Sequence, residues 1–289
     1  MKIKAIPKKI FQRAYKYFML ALLKVYKLKL LIHKKINGIK NPIIHVYSIC
    51  WNEEKFLPLY LKHYCSFADK IIIYDNESTD NTLKILKENP KVEIKTYKTN
   101  GKLNDFEYLK IKNNAWKKSR GKADWVIVCD VDELLYPRQK QDITQTLQKT
   151  DKTIFKPEGY EMLSETFPTT DQPLTNQTKG VKSKWFDKKI IFNPHSIVEI
   201  NYYPGCHEAE PIGIVKYGEQ QFYLLHFKRM GLEYIINRYK TFANRMSKNN
   251  IEQKMGMHYF MKEKEITDEF YRMLKDAKQI NPENDDNRN

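Results

Sequence analysis

Three carboxylates, Asp130, Asp132 and Glu133, follow directly on the apolar run Trp125-Val126-Ile127-Val128-Cys129. A short run rich in β-branched residues reads as a strand buried on both faces, as in the middle of a parallel sheet. Acidic groups at the end of such a strand are costly unless a cation or hydrogen-bond donors compensate them. In open α/β sheets the carboxyl ends of the strands face the ligand crevice. Asp130-Val131-Asp132 therefore stands where a ligand binds, and its two side chains suit a hard divalent cation. An isolated Asp-x-Asp is more often a solvated turn; the buried strand in front of it is what separates this one. An EF-hand loop is excluded, because Leu134 and Leu135 occupy positions where oxygen ligands and a glycine are needed. Nothing nearby marks either aspartate as a phosphoryl-accepting nucleophile.

The elements that would position these groups alternate regularly. Ile43–Cys50 reads as a first strand ending at Trp51-Asn52-Glu53-Glu54, followed by a helix with Pro58 in its first turn, where a missing N–H costs little. Lys70–Tyr74 is a second strand, stopping at Asp75-Asn76-Glu77-Ser78-Thr79-Asp80. Ser78 or Asp80 can cap the helix that follows, which ends at Asn89-Pro90. Val92–Tyr97 is a third strand. Asn104, with Glu107 three residues on, resembles a capping box for a helix running to Arg120 and closed by Gly121. This β-α-β-α-β-α-β order predicts a parallel, helix-covered sheet whose polar strand ends, Asn52-Glu53, Asp75-Asn76 and Asp130-Asp132, share one crevice. No G-x-G-x-x-G or Walker lysine loop is present, so the phosphates of any nucleotide fall to a metal. The second half is less regular. Strands are expected at 153–155 and 189–192, a loop over 161–180, and helices over 232–246 and 258–277. Polar clusters stand at Gly205-Cys206-His207-Glu208-Ala209-Glu210 and around His226, and a polar tail follows over 281–289.

Charge divides the chain. Residues 1–40 hold 12 Lys or Arg and no Asp or Glu, so the other 249 residues account for only +4 of the +16 net charge. A nucleic-acid binder carries its basic footprint on the folded domain, and none is expected here. No uncharged run in the arm reaches the roughly 18–20 residues that span a bilayer. The arm reads as a basic amphipathic helix on an anionic membrane surface, with a helix packed on the domain through its Leu face, or an RNA-binding arm, as alternatives. Four cysteines, far apart and without C-x-x-C, argue against a zinc ribbon and against a secreted disulfide scaffold. The expected division is a membrane-surface arm over 1–40, a catalytic domain over 41–250, and a helical extension and tail over 251–289.

Four motifs in order, Ile49-Cys50-Trp51-Asn52-Glu53-Glu54, Tyr74-Asp75-Asn76-Glu77-Ser78-Thr79-Asp80, Asn113-Asn114-Ala115-Trp116 and Asp124–Glu133, resemble a family 2-type glycosyltransferase, closest to the bacterial branch that builds lipopolysaccharide and other surface glycans. The likeness is dense over 43–136 and patchier to about 246. It implies an α/β fold of GT-A type: a Rossmann-like, mostly parallel sheet flanked by helices, with a mixed C-terminal acceptor-side region. It also implies a nucleotide-sugar donor (a UDP-sugar), a divalent Mn2+ or Mg2+ ion, inversion, and a glycan or lipid-linked acceptor. By motif, Asn52 and Glu53 would sit near the nucleoside and Asp75 would contact base or ribose. Asn76 and Glu77 replace the second Asp and the Gly of the common Asp-Asp-Gly-Ser pattern. Lys112 and Asn113 would face the donor, Asp130 would serve ribose or metal-bound water, and Asp132 would bind the metal directly. His226 is the expected further metal ligand, from a late strand. Inversion needs one base to take the acceptor hydroxyl proton. Glu208 is the first choice, with Glu210, His207 and Asp187 as substitutes.

Two other functions compete. A nucleotidyltransferase on a similar sheet would want a Gly-rich, Lys/Arg-bearing loop after the first strand, where this chain has the acidic Asn52-Glu53-Glu54. A non-catalytic basic-arm protein would bind lipid or nucleic acid through residues 1–40 alone. The transferase reading places the chain in the cytoplasm, peripheral on the inner face of the cell membrane.

Overall fold

The computed structural model describes residues 8–138, 142–280 and 282. Residues 1–7 of the arm, and all of the 281–289 tail except residue 282, lie outside the described residues. Four strands, β1 (Ile44–Cys50), β2 (Lys70–Asp75), β3 (Val92–Thr96) and β4 (Trp125–Val128), form a parallel half-sheet in the order β3-β2-β1-β4. All seven residues of β1 and all four of β4 are buried. Their mostly apolar sequences reflect burial on both faces, at about 1.5–3 kcal/mol for each large aliphatic side chain, and the buried His45 and Ser48 of β1 are hydrogen-bonded to Ser119 and Tyr60. Helices α2 (Leu57–Tyr64), α3 (Thr82–Lys87) and α4 (Asp105–Asn114) connect these strands. Pro58 sits in the first turn of α2, and the Asn104 side chain caps α4 by accepting from the Phe106 and Glu107 amides.

The sheet then changes character. Beyond β4 the order is β8 (Ile191–Phe192), β6 (Ile154–Ser164), β11 (Tyr217–Met230) and β5 (Glu133–Pro137), with β7 (Lys179–Lys182) on the side of β6. Only β6 and β11 run parallel in this half; β8, β5 and β7 pair antiparallel with their neighbours. Short β9 (Ile197–Glu199) and β10 (Ile212–Gly213) form a separate pair. The remaining helices are α1 (Lys8–Ile36), α5 (Ile143–Lys149), α6 (Leu232–Arg245), α7 (Lys248–Glu252) and α8 (Glu263–Asp276). The architecture is the expected α/β one, with a Rossmann-like parallel half and a mixed C-terminal half.

Three local expectations need correction. The segment 161–180 is not one loop, because β6 runs on to Ser164 and β7 begins at Lys179. The helix from Asn104 stops at Asn114 and continues as a 3-10 turn over Ala115–Ser119. That tighter turn carries the wholly buried Trp116 edge-on against Phe192, 4.8 Å between ring centres. The residues after Asp132, with no strand expected, form β5 against β11.

Candidate active site

A cavity of about 430 Å3 opens at the carboxyl ends of β1 and β4. Trp51 and Glu53 after β1, Asp130 and Asp132 after β4, and Asp105 and Lys112 on α4 form one side. Trp185, Phe186 and Lys188 before β8, His207 after the turn Pro204–Cys206, His226 and Lys228 on β11, Arg238 and Tyr239 on α6, and His258 and Tyr259 complete it. Strand pairing explains the meeting of Asp132 and His226. His226 pairs with Glu133 in the β5–β11 ladder, and the Phe227 amide donates to the Asp132 carbonyl at 2.7 Å. Residues two apart on a strand share a face, so His226 and Lys228 both reach the cavity while Phe227 is buried in the core.

The acidic groups are met by fixed cations. Lys112 Nζ lies 2.6 Å and Lys188 Nζ 3.8 Å from the Asp130 carboxylate. Lys188 also pairs with the buried Glu133, whose other oxygen accepts from the Asp130 amide at 3.0 Å. Arg238 grips Glu53 with two hydrogen bonds, 2.7 and 3.0 Å, and stands 3.7 Å from Asp132. Burial pushes the Asp130 and Asp132 carboxyls up. Lys112 and Lys188 beside the first, and His226, Arg238 and Lys188 beside the second, outweigh burial and hold both below the usual carboxylate range. Glu53 goes the other way: burial raises it, and Arg238 only partly offsets that. Asp105 is likewise raised by burial. Lys228 has no carboxylate in ion-pair range among the described residues. Its ammonium faces the Tyr239 and Tyr259 rings at 5.0 and 5.8 Å, and burial lowers its pKa to about 8.

Among the described residues no three His, Cys, Asp or Glu side chains converge on a point that could hold a metal ion. Asp130 is not brought into a set with Asp132 and His226; two lysines take it instead. Asp132 Oδ2 and His226 Nε2 do face each other across 3.6 Å, and His226 Nδ1 is buried without a hydrogen-bond partner. A carboxylate oxygen and an imidazole nitrogen so placed make a two-donor corner. They fit a divalent ion that takes its other ligands from substrate phosphates and water.

The expected site residues divide into two groups. Glu53, Lys112, Asp130, Asp132, His207 and His226 line the cavity; Asn52, Asp75, Asn76, Asn113, Glu208 and Glu210 do not. Asn52 ties the end of β1 to the next loop, its Oδ1 accepting from the Thr79 amide at 2.8 Å. Asp75 is fully buried and accepts from the Ser78 amide. Asn76 accepts from Thr99 and Arg245, and Asn113 exchanges two hydrogen bonds with the Tyr202 backbone. Glu208 and Glu210 are exposed on the loop beyond His207. The Asp187 side chain accepts from the Gly159 amide at 2.8 Å. Of the expected bases only His207 reaches the cavity. Its Nδ1 lies 2.8 Å from the Trp185 carbonyl, and an N–H donated there leaves the Nε2 lone pair free. Burial lowers its pKa to about 3.

A family model for "Glycosyl transferase family 2" matches residues 46–200, from β1 through the Asp-x-Asp turn to the end of β9. The chain belongs to glycosyltransferase family 2. The matched span carries Trp51, Glu53, Lys112, Asp130 and Asp132; His207, His226, Lys228, Arg238 and Tyr259 lie beyond it. Among solved structures the chain is similar to a 4-diphosphocytidyl-2C-methyl-D-erythritol synthase, at 8% identity over 54% of this chain and 76% of that one, TM-score 0.30. The corresponding synthase from Anaerococcus prevotii DSM 20548 shares 12% identity over 53% and 70% of the two chains, TM-score 0.27. HddC from Yersinia pseudotuberculosis shares 12% over 64% and 93%, TM-score 0.33. Likenesses this distant decide nothing about the chemistry. No curated protein matches the chain.

Sequence reasoning missed Trp51, Asp105, Trp185, Lys188, Lys228, Arg238 and Tyr259 as cavity residues. Trp51 stands within the first motif and Lys188 directly before the strand expected at 189–192, and a lysine two places after His226 shares its face by strand alternation. The others depend on how the second half folds over the first.

Proposed function

We propose that this glycosyltransferase moves a sugar from a UDP-sugar to a glycan or lipid-linked acceptor, with inversion at the anomeric carbon. The observation that carries the reading is the Asp132–His226 corner at the end of β4, 3.6 Å across and open to the cavity. Asp132 and His226 would hold a Mn2+ or Mg2+ ion, which when bound neutralises the diphosphate as a Lewis acid. Trp51, backed by Arg245 at 3.3 Å from its ring centre, supplies an aromatic surface for the nucleobase. Lys112 and Lys188 hold Asp130 ionised toward the donor ribose. Lys228, with no carboxylate in ion-pair range among the described residues, is a cavity cation available to a phosphate oxygen.

His207 takes the proton from the acceptor hydroxyl at Nε2, with Nδ1–H anchored on the Trp185 carbonyl. Burial holds this imidazole neutral, with its lone pair present, and the negative diphosphate of a bound donor beside it would raise its affinity for the proton. A nucleotidyltransferase is disfavoured by the loop after β1. That loop offers no glycine-rich cradle, and its Glu53 is clamped by Arg238. The resemblance to enzymes of lipopolysaccharide and surface-glycan assembly supports a cytoplasmic setting, peripheral on the inner face of the cell membrane, with the extension after residue 250 helping to close the cavity. The deciding experiment is a thermal-shift screen of UDP-sugars with and without manganese, followed by turnover assays of Asp132→Asn. A true donor stabilises the protein by mass action. Unchanged turnover in the variant would remove the reading.

A further inference from the structure

We propose that the outward face of α1 rests on an anionic lipid bilayer, with the helix already locked to the body in the orientation that presents this face. Helix α1 is not a free arm. Leu23 and Leu30 are 0% and 1% exposed against the body. Lys34 pairs with Asp124 at 2.7 Å, just ahead of β4, and the Tyr15 hydroxyl donates to Glu199 at 3.0 Å, so both ends of the helix are tied down. Tyr26 lies against Gly121, where an added Cβ would come within 3.2 Å of its ring.

Leu23 and Leu30 are seven residues apart, and Phe18, Val25 and Ile32 repeat at the same interval. At about 100° per residue that second row stands roughly 200° around the helix from the first. The exposures agree: Phe18 is 68%, Val25 63% and Ile32 51% exposed, joined on that side by Leu28 at 57% and Ile36 at 78%. Exposed Lys24, Lys29 and Lys35 border this apolar strip. Scattered single apolar residues on a surface need no explanation; a continuous strip along one helix marks a contact surface.

Charge decides what covers it. With 12 Lys or Arg and no Asp or Glu in residues 1–40, every charge that α1 itself sets beside the strip is positive. A second copy of the chain meeting it face to face across a two-fold axis would set one all-cationic helix border against another. An anionic bilayer satisfies both features. The apolar row enters the headgroup boundary while the lysine stems lie along it and their ammonium groups reach the phosphates. No described helix is long and apolar enough to cross a membrane, so α1 lies in the interface plane. None of its described residues lines the cavity, so the contact is separable from donor chemistry.

The test is co-sedimentation of the full chain with vesicles of phosphatidylcholine alone or mixed with phosphatidylglycerol. The expected result is binding to the mixed vesicles only, weakened by added salt. A Val25→Ser, Leu28→Ser, Ile32→Ser variant, which leaves Leu23 and Leu30 in place, should lose more than about tenfold in partitioning with its melting temperature and its affinity for UDP unchanged. Lys24→Gln, Lys29→Gln, Lys35→Gln should abolish the preference for the anionic lipid. Equal sedimentation of wild type and the serine variant overturns the proposal. So does a concentration-dependent dimer, abolished by the serine variant, in a protein that ignores vesicles.

Discussion

His226 Nε2 stands 3.6 Å from Asp132 Oδ2 because the β5–β11 ladder pairs His226 with Glu133, the residue directly after Asp132. The separation exceeds a hydrogen bond yet brings a carboxylate and an imidazole to the same space. Asp132→Asn and His226→Ala should each weaken Mn2+ binding in the presence of UDP by at least about tenfold, read by the free-ion EPR signal. Asp130→Asn should weaken it much less, since Lys112 and Lys188 already compensate that carboxylate. An equal loss from Asp130→Asn would place the ion between the two aspartates and undo the two-donor assignment.

Arg238 and Glu53 form a bidentate pair with side chains only 16% and 6% exposed. Removing one partner leaves a buried charge uncompensated. Arg238→Met should therefore cost about 3–5 kcal/mol in urea unfolding, while the double variant Glu53→Met, Arg238→Met should recover most of it. The sign of the pH effect follows from Glu53. Its folded pKa is already raised by burial and rises further without Arg238. The folded single variant then holds its proton above the pH at which the unfolded chain releases it, so the variant loses stability as pH rises through that window. A pH-independent deficit would mean that the loss comes from packing alone.

How much of this was legible in the sequence depends on the distance a residue must look for its partner. The parallel half was readable because β1, β2 and β4 are short β-branched runs, buried throughout or nearly so, each followed at once by polar groups. The Asp-x-Asp turn was readable because its strand precedes it directly. Glu208 was misleading: the cluster around it has the right residue types, but of its candidate bases only His207 turns inward, with its ring against Trp185 at 4.2 Å. Nothing in the local sequence separates neighbours on a loop in that way. Arg238 was invisible as a site residue because its partner, Glu53, is 185 positions away. Asn52, Asp75 and Asn76 carry motif identities, yet their side chains hold backbone turns rather than cavity wall.

Glu77 occupies the position where the resembled pattern has glycine, and its backbone takes φ +58°, in the left-handed region. A side chain there costs about 1–2 kcal/mol relative to ordinary backbone. Its surface pair with Lys98, the lysine 75% exposed, returns little. Glu77→Gly relieves the strain but adds chain entropy to the unfolded state. The net expectation is a gain of about 0.5–1 kcal/mol in the urea midpoint analysis. Glu77→Ala keeps the strain and should show no such gain; an equal gain would trace the effect to lost charge.

His45 and His195 are two of the histidines whose burial limits the fold in acid, with His63, His207 and His258 lowered in the same way. His45 and His195 are each buried, and burial lowers each pKa from 6.5 to about 4. His195 Nε2 accepts the Gly121 amide at 2.8 Å, so a proton on that nitrogen removes the acceptor. His45 Nδ1 lies 2.8 Å from Ser119 Oγ in the same buried region. The unfolded chain protonates these rings below about pH 6.5 while the folded chain does not, so the unfolded state binds more protons and stability falls as pH drops toward 4. Each ring contributes roughly 3 kcal/mol to that loss by pH 4. Urea unfolding followed from pH 7 to pH 4 should show the decline beginning near pH 6.5. His195→Gln, which retains an acceptor for Gly121 but cannot titrate, should flatten it by about one ring's share. An unchanged slope in that variant would show that His195 takes up its proton as readily in the folded protein as in the unfolded chain.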